Sequence, residues 1–153
     1  MKIEIEEMTR AHLEDVVEIL CDGLPGADSP EAKKNLPEPP QWDSQHLDAC
    51  RLVAVLCNQV VGWAALSAPR GAPSADRADV EVYVRKGMRG AGIGTALLRT
   101  LVWEAEEAGL AALTACMGAE NRAACALFAG CGFREVAAPD GSGETVAYEC
   151  GLG

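Results

Sequence analysis

The chain has 153 residues, 49% of them hydrophobic, and sets 13 Lys and Arg against 23 Asp and Glu for a formal net charge of -10. That length suits a single domain, residues 1–153, with a real core; the charge excludes the global positive field that would draw nucleic acid or an anionic membrane, and a cationic or amine partner suits it better. With no basic leader before an apolar run and no stretch near ~18 apolar residues, neither a signal peptide nor a membrane span is expected, and the chain reads as cytoplasmic.

Ile3 and Ile5 alternate with acids, the pattern of a strand with one face in a core. Thr9 then caps a helix whose Leu13, Val16, Val17 and Leu20 share one face. Residues 23–40 hold five prolines. They predict a loop with short helical pieces, long enough to be a lid or a wall of a substrate pocket, and Trp42 to Cys50 follow as another short helix. "RLVAVLC" and "VVGWAALS" read as an antiparallel hairpin around Asn58-Gln59, although that dipeptide is not favoured turn chemistry. After a Pro/Gly/Ser loop, Asp79 to Arg85 alternate as a strand. "RKGMRGAGIG" precedes a helix from about Gly92 to Ala108, with Leu97, Leu98, Leu101 and Val102 inward and Gly109 ending it. "LAALTACM" is a strand, and Asn121 opens a helix through Leu127 and Phe128 that stops at Gly132. "FREVAA" and "TVAYECG" close the chain as strands around a Gly/Ser turn. The order β, α, loop, β-β-β, α, β, α, β-β makes a mixed α+β fold.

Seven cysteines form an odd set with no C-x-x-C pair and no paired histidine. They read as reduced, mostly buried small hydrophobes, with no metal site. None has a histidine nearby in sequence, which disfavours covalent catalysis.

The glycine-rich turn carries the chemistry. A strand, a glycine turn and a helix start make an anion site, because the first helical N–H groups are unpaired and the helix dipole is positive there. A Walker-type phosphate loop needs Lys-Ser/Thr after its last glycine, but Gly92 is followed by Ile93-Gly94. The dinucleotide fingerprint needs a third glycine where Leu97 or Thr95 stands. Neither pattern fits.

What remains, Arg89-Gly90-Ala91-Gly92-Ile93-Gly94, resembles the R/Q-x-x-G-x-G/A signature of the GCN5-related N-acetyltransferases (GNAT). The likeness extends to the alternating strand before the loop, to Glu120-Asn121-Arg122-Ala123-Ala124, and to "LFAGCGFREV", close to the family's L-Y-x-x-x-G-F. It implies a GNAT fold: a central, mostly antiparallel twisted sheet, splayed at the acetyl-CoA site and flanked by helices. It also implies acetyl transfer from acetyl-CoA to a primary amine of a small molecule by direct attack in a ternary complex, without a metal. Upstream, "QWDSQHLDACRLVAVLCNQVVGWAALS" resembles the phosphinothricin and arsinothricin acetyltransferase branch, which implies an amino acid or phosphinothricin-like acceptor. The chain departs from that branch after "GFREV", where only Pro139 to Glu144 precede the last strand. The alternatives are a protein or peptide N-terminal acetyltransferase and a catalytically idle acyl-CoA-binding regulator; a homodimer is the assembly considered beyond a monomer.

Acetyl transfer needs a neutral amine, so a base must take the ammonium proton. Asp79 and Glu81 lie on one strand face by the two-residue period; the resemblance puts Asp79 on the family's catalytic glutamate, with Glu81 as fallback. It further implies an oxyanion-binding N–H in the Val82, Tyr83, Val84 stretch. Coenzyme A contacts are implied at Arg89, Gly90, Ala91, Gly92, Ile93, Gly94, Thr95, Asn121 and Phe128. Phe128 stands where many relatives carry a thiolate-protonating Tyr; Tyr83 is an alternative donor, and a thiolate can also leave unassisted. Arg85, Lys86 and Arg89 cluster positive charge near the loop, suiting phosphates. Trp42 and His46 are expected on the substrate side, and Arg70 and Arg77 are candidates for a substrate's carboxylate or phosphinate. His12 is expected on an exposed helix face.

Overall fold

The computed structural model describes residues 2–22, 36–69, 76–137 and 143–152. In chain order the strands are β1 (Glu4–Glu7), β2 (Leu52–Leu56), β3 (Gln59–Ser67), β4 (Arg77–Val84), β5 (Ala112–Gly118), β6 (Arg134–Val136) and β7 (Thr145–Gly151). The α-helices among the described residues are α1 (Leu13–Asp22), α2 (Pro39–Gln45), α3 (Ile93–Glu107) and α4 (Arg122–Gly130), with a 3-10 turn at Arg10–His12. The expected order of elements and the mixed sheet with flanking helices are what the chain adopts. The seven strands among the described residues form one sheet in the order β1-β2-β3-β4-β5-β7-β6.

Every neighbouring pair is antiparallel except β4 and β5, and this one parallel ladder is short. It joins Arg77 to Ala112, Ala78 to Leu113 and Asp79 to Thr114, and goes no further. From Val80 to Val84, β4 stays paired with β3 alone, while β5 continues to Gly118 paired with β7. The sheet therefore opens into a wedge just past Asp79 and Thr114, where the β4–β5 ladder ends.

Two cores flank the sheet. Ala78 and Val80 of β4 face Ile93, Leu97, Leu98 and Leu101 of α3, together with Phe128 and Phe133. On the opposite face Val16 and Ile19 of α1 and Trp42 of α2 pack against Val53, Val60, Trp63 and Ala65. Residues of β4 alternate between the two sides, as the pleat requires: valines go to the α3 side, while Asp79, Glu81 and Tyr83 share the other. Strand β3 breaks that alternation once. Ala54 pairs with Gly62 but Val55 with Val60, so Val61 is an extra residue and the register shifts there.

Several local expectations move by a residue or more, each for a physical reason. The hairpin turns at Cys57 and Asn58, not Asn58 and Gln59; both have positive φ, 51° and 64°, the requirement of the tight turn that matches strand twist, and Gln59 is already in β3. Helix α2 begins at Pro39 instead of Trp42 and ends at Gln45. Proline is suited to a helix's first turn, and Glu38 and Gln41 cap it reciprocally. Ile19, outside the expected α1 face, is fully buried with Val16. The cysteines are half-buried, with Cys50, Cys125, Cys131 and Cys150 packed at the margin of the core, and Cys57, in the hairpin turn, is exposed. His12 is half-buried, its Nδ1 accepting from the Thr9 N–H at 3.0 Å as the partner in a capping box. Residues 23–35, where the Pro-rich lid or pocket wall is expected, Arg70 with residues 71–75, and residues 138–142 lie outside the described residues.

Candidate active site

The glycine turn leads from the end of β4 into α3. Gly90 and Gly92 have φ of 83° and 82°, a left-handed conformation that only glycine adopts without strain, and Gly92 is the N-cap. Ala96 is the first residue whose N–H bonds back into the helix, to the Gly92 carbonyl at 3.1 Å. The amides of Ile93, Gly94 and Thr95 thus lie at the open, positive end of α3. Gly94 answers a different demand: a Cβ there would lie 3.3 Å from Leu127 Cδ2, so its absence lets α4 close against α3.

Those amides face a cleft of about 600 Å³ that runs along β4 beyond the end of its ladder with β5. Its wall takes Val82, Tyr83 and Val84 from β4, Arg89, Gly90, Gly92, Ile93, Gly94 and Thr95 from the turn and α3, and Asn121 from the start of α4. Met88 and α4 residues Ala123, Ala124, Ala126 and Leu127 complete it; of these the sequence marks Ala123 and Ala124 as part of a motif and Leu127 as a helix residue, but none as a wall of the cleft. Asn121 caps α4, its Oδ1 accepting from the Ala124 N–H at 3.2 Å. Two expected cofactor residues stand apart from this lining. Ala91 is an exposed residue of the turn, and Phe128 is turned into the core with its ring 5.0 Å from that of Phe133.

The cations divide. Arg89 is exposed at the cleft and its Nε reaches the Val84 carbonyl at 3.4 Å. Arg85 instead falls on the α1 side of the sheet, bonded to Glu18 at 2.6 Å and to the Val60 carbonyl at 3.2 Å, so the loop's positive charge does not include it. Arg77 is engaged with Glu149 of β7 at 2.7 Å.

On the opposite face of β4 the two carboxylates are held by different partners. Thr114 Oγ1 donates to Asp79 Oδ1 at the tip of the wedge. Glu81 Oε2 lies 2.9 Å from Nε2 of His46, whose side chain is only 5% exposed. An aromatic cluster surrounds that contact. The His46 ring stacks on Trp42 at 4.0 Å, Trp42 meets Trp63 edge-on at 5.2 Å, and Trp63 lies 5.0 Å from Tyr83. Arg51 reaches across Trp42 at 5.2 Å and anchors the segment after α2 through Asp43 and the carbonyls of Asp43, His46 and Leu47. Among the described residues the buried indole N–H groups of Trp42 and Trp63 meet no hydrogen-bond acceptor, a cost of about 1–3 kcal/mol each that burial of the large rings offsets. Trp42, a candidate substrate contact, is fully buried and supports His46.

Among the described residues no group of three or more His, Cys, Asp and Glu is placed to hold a metal ion, and no helix is long and apolar enough to cross a membrane. A helix start aimed at a gap between strands, with acids across the sheet from it, is the geometry of a protein that seats a phosphate-bearing cofactor along an open strand. The Acetyltransferase (GNAT) family model matches residues 13–133. The chain belongs to that family and is an acetyltransferase. Solved structures resemble it over nearly their whole length. A protein provisionally assigned as a phosphinothricin N-acetyltransferase gives a TM-score of 0.74 at 24% identity, with 99% of each chain covered. The ribosomal-protein-alanine N-acetyltransferase of Brucella melitensis gives 0.77 at 26% identity, covering 97% of this chain and 99% of that one. The yncA protein of Salmonella typhimurium, provisionally assigned as an acetyltransferase and solved with its cofactor acetyl-CoA, gives 0.80 at 19% identity over 100% and 95%. No curated protein matches the chain.

The residues of the cleft fit such a cofactor. Amides at the start of α3 and the exposed Arg89 suit a pyrophosphate, and the strip of Val82, Val84, Ala124 and Leu127 suits a slender, largely apolar arm.

Proposed function

We infer that this protein, read as one domain over residues 1–153, transfers the acetyl group of acetyl-CoA to the primary amine of a small molecule in a ternary complex. The observation that carries the reading is the division of labour across β4: Val82 and Val84 line the cofactor cleft, while Asp79 and Glu81 lie on the opposite face of the same strand. When bound, acetyl-CoA supplies a thioester carbon for attack. The amides of Ile93, Gly94 and Thr95, with Arg89, hold its phosphates. A backbone N–H in the Val82 to Val84 stretch donates to the thioester oxygen. Asp79 or Glu81 would accept the acceptor's ammonium proton and free the nitrogen lone pair to form the C–N bond that replaces the thioester's C–S bond; the second proton, shed by the acylated nitrogen, would pass to water or to the departing sulfur. With Phe128 packed against Phe133, the thiolate leaves unassisted or takes a proton from water or Tyr83; as thiols are moderately acidic, with pKa about 8.5, unassisted departure costs little rate.

The upstream likeness to the phosphinothricin branch, and one structural neighbour of that assignment at 24% identity, support an amino acid or phosphinothricin-like acceptor. A second reading, acetylation of a protein N-terminus, draws on the ribosomal-protein-alanine enzyme at 26% identity. A panel of free amines and one Ala-starting peptide, each incubated with acetyl-CoA and followed by product mass, separates the two. Free cysteines throughout the described chain are in keeping with a cytoplasmic setting.

A further inference from the structure

His46 sits between two oxygens. Its Nδ1 lies 2.7 Å from the Trp42 carbonyl and its Nε2 2.9 Å from Glu81 Oε2. A carbonyl oxygen only accepts, so Nδ1 must carry a hydrogen. A neutral imidazole would then present a bare lone pair from Nε2 to a carboxylate oxygen. The alternative tautomer would present one from Nδ1 to the carbonyl. Both contacts are satisfied only if a further proton lies between Nε2 and Oε2, and of the two groups imidazole is the stronger base in water. We propose that His46 is a positioning residue for Glu81, held as a doubly protonated imidazolium that locks the Glu81 carboxylate by Oε2 and leaves Oε1 to receive the acceptor's ammonium.

The surroundings favour that arrangement. Stacking on Trp42 at 4.0 Å gives the cation an aromatic face. Trp63, edge-on at 6.0 Å, closes another side. Charged and titratable groups on the same side include Asp79 and Tyr83, each two positions from Glu81 along β4, and Arg51, which binds the His46 carbonyl and is balanced by Asp43 and Asp48. Glu81 itself is not sealed away. Its side chain is 37% exposed, and the contact with His46 is made through Oε2. Asp79, by contrast, is engaged by Thr114. The pair thus selects Glu81 over Asp79 as the group that meets the amine. The inference rests on the amine-acetyltransferase reading for what Glu81 does, but not for how His46 is protonated.

Two measurements on the full chain keep these separable. The chain has only two histidines, so His12→Ala assigns the imidazole nitrogen-15 resonances. At pH 7 both nitrogens of His46 are expected to show the protonated signature, and a bare Nε2 would overturn the proposal whether or not any amine is acetylated. With an accepted amine in hand, kcat/KM is compared for the parent, His46→Phe, His46→Gln, Glu81→Gln and the His46→Phe/Glu81→Gln pair. His46→Phe keeps a ring on Trp42 but loses both hydrogen bonds, and should lower kcat/KM roughly tenfold or more with coenzyme A affinity unchanged; it should do no further harm in the Glu81→Gln background. His46→Gln, which retains a donor toward Glu81, should recover part of the loss. Equal losses in both backgrounds, or no loss in either, would overturn the proposal. If the phenylalanine variant does not fold, the glutamine variant and the resonances decide it. A doubly protonated His46 in a protein that acetylates no amine would refute the enzymatic reading while leaving the His46 geometry standing.

Discussion

Asp79 and Thr114 are the last partners of the single parallel ladder in the sheet, and the Thr114 hydroxyl donates to the Asp79 carboxylate across it. Beyond them β4 and β5 diverge, so this bond ties together the strands at the vertex of the cofactor cleft. Thr114→Val keeps the β-branched shape but leaves Asp79 without that donor. It should cost about 1 kcal/mol of stability, read as a lower unfolding midpoint in urea, with cofactor affinity little changed. An unchanged midpoint would mean that the contact does not brace the wedge.

The two carboxylates should separate in single variants. If either takes the proton from the amine, its removal by Asp79→Ala or Glu81→Gln should lower acetyl transfer by roughly a hundredfold or more while coenzyme A still binds. Calorimetry with coenzyme A and a turnover assay together check this. Full activity in both variants would remove β4 as the source of the base.

Gly92 should be intolerant of a side chain for conformational reasons, since its φ of 82° strains any L-residue although a Cβ would touch nothing. Gly92→Ala should destabilise the protein by about 1 kcal/mol or more and shift the amides of α3. Coenzyme A affinity should therefore fall by roughly tenfold in a titration. Gly94→Ala should act differently, by pressing on Leu127 with no backbone strain.

Acid and neutral stability should differ through Glu104 on α3. Burial pushes its carboxyl above the ordinary range, and the nearby Glu7 charge adds to that. The folded state therefore holds the proton more tightly than the unfolded one. The stability linked to this proton is fully present below the unfolded carboxylate range and is lost as pH rises through the folded value. Glu104→Gln should melt above the parent at pH 7, on the order of 1 °C, and the difference should vanish near pH ~4. A lower melting point at pH 7 would contradict the sign.

Much of the cofactor side was legible in the chain because it is local. The glycine turn, its strand and the start of α3 are contiguous, and positive φ at Gly90 and Gly92 is a demand that sequence displays directly. The acceptor side is assembled from distant pieces. Glu81 and His46 lie 35 positions apart, and what joins them is the pairing of β3 with β4 and the seating of α2 on Trp63. No periodicity reports such a contact. The bulge at Val61 was hidden for a related reason: an apolar run buried on both faces, as β3 is, has no alternation to interrupt. Phe128 was read by its place in a motif, whereas its packing on Phe133 depends on how α4 meets β6.

The most direct test of the account follows the product of acetyl transfer. Purified protein would be incubated with acetyl-CoA and, separately, amino acids, phosphinothricin-like analogues, methionine sulfone, polyamines, aminoglycosides and an Ala-starting peptide. Detection by mass is preferable to a thiol reagent, because Cys57 is exposed and would react. A singly acetylated small amine is expected from the parent and should be nearly absent with Glu81→Gln, although that variant still binds coenzyme A. Coenzyme A binding without transfer to any amine, or transfer confined to the peptide, would contradict it.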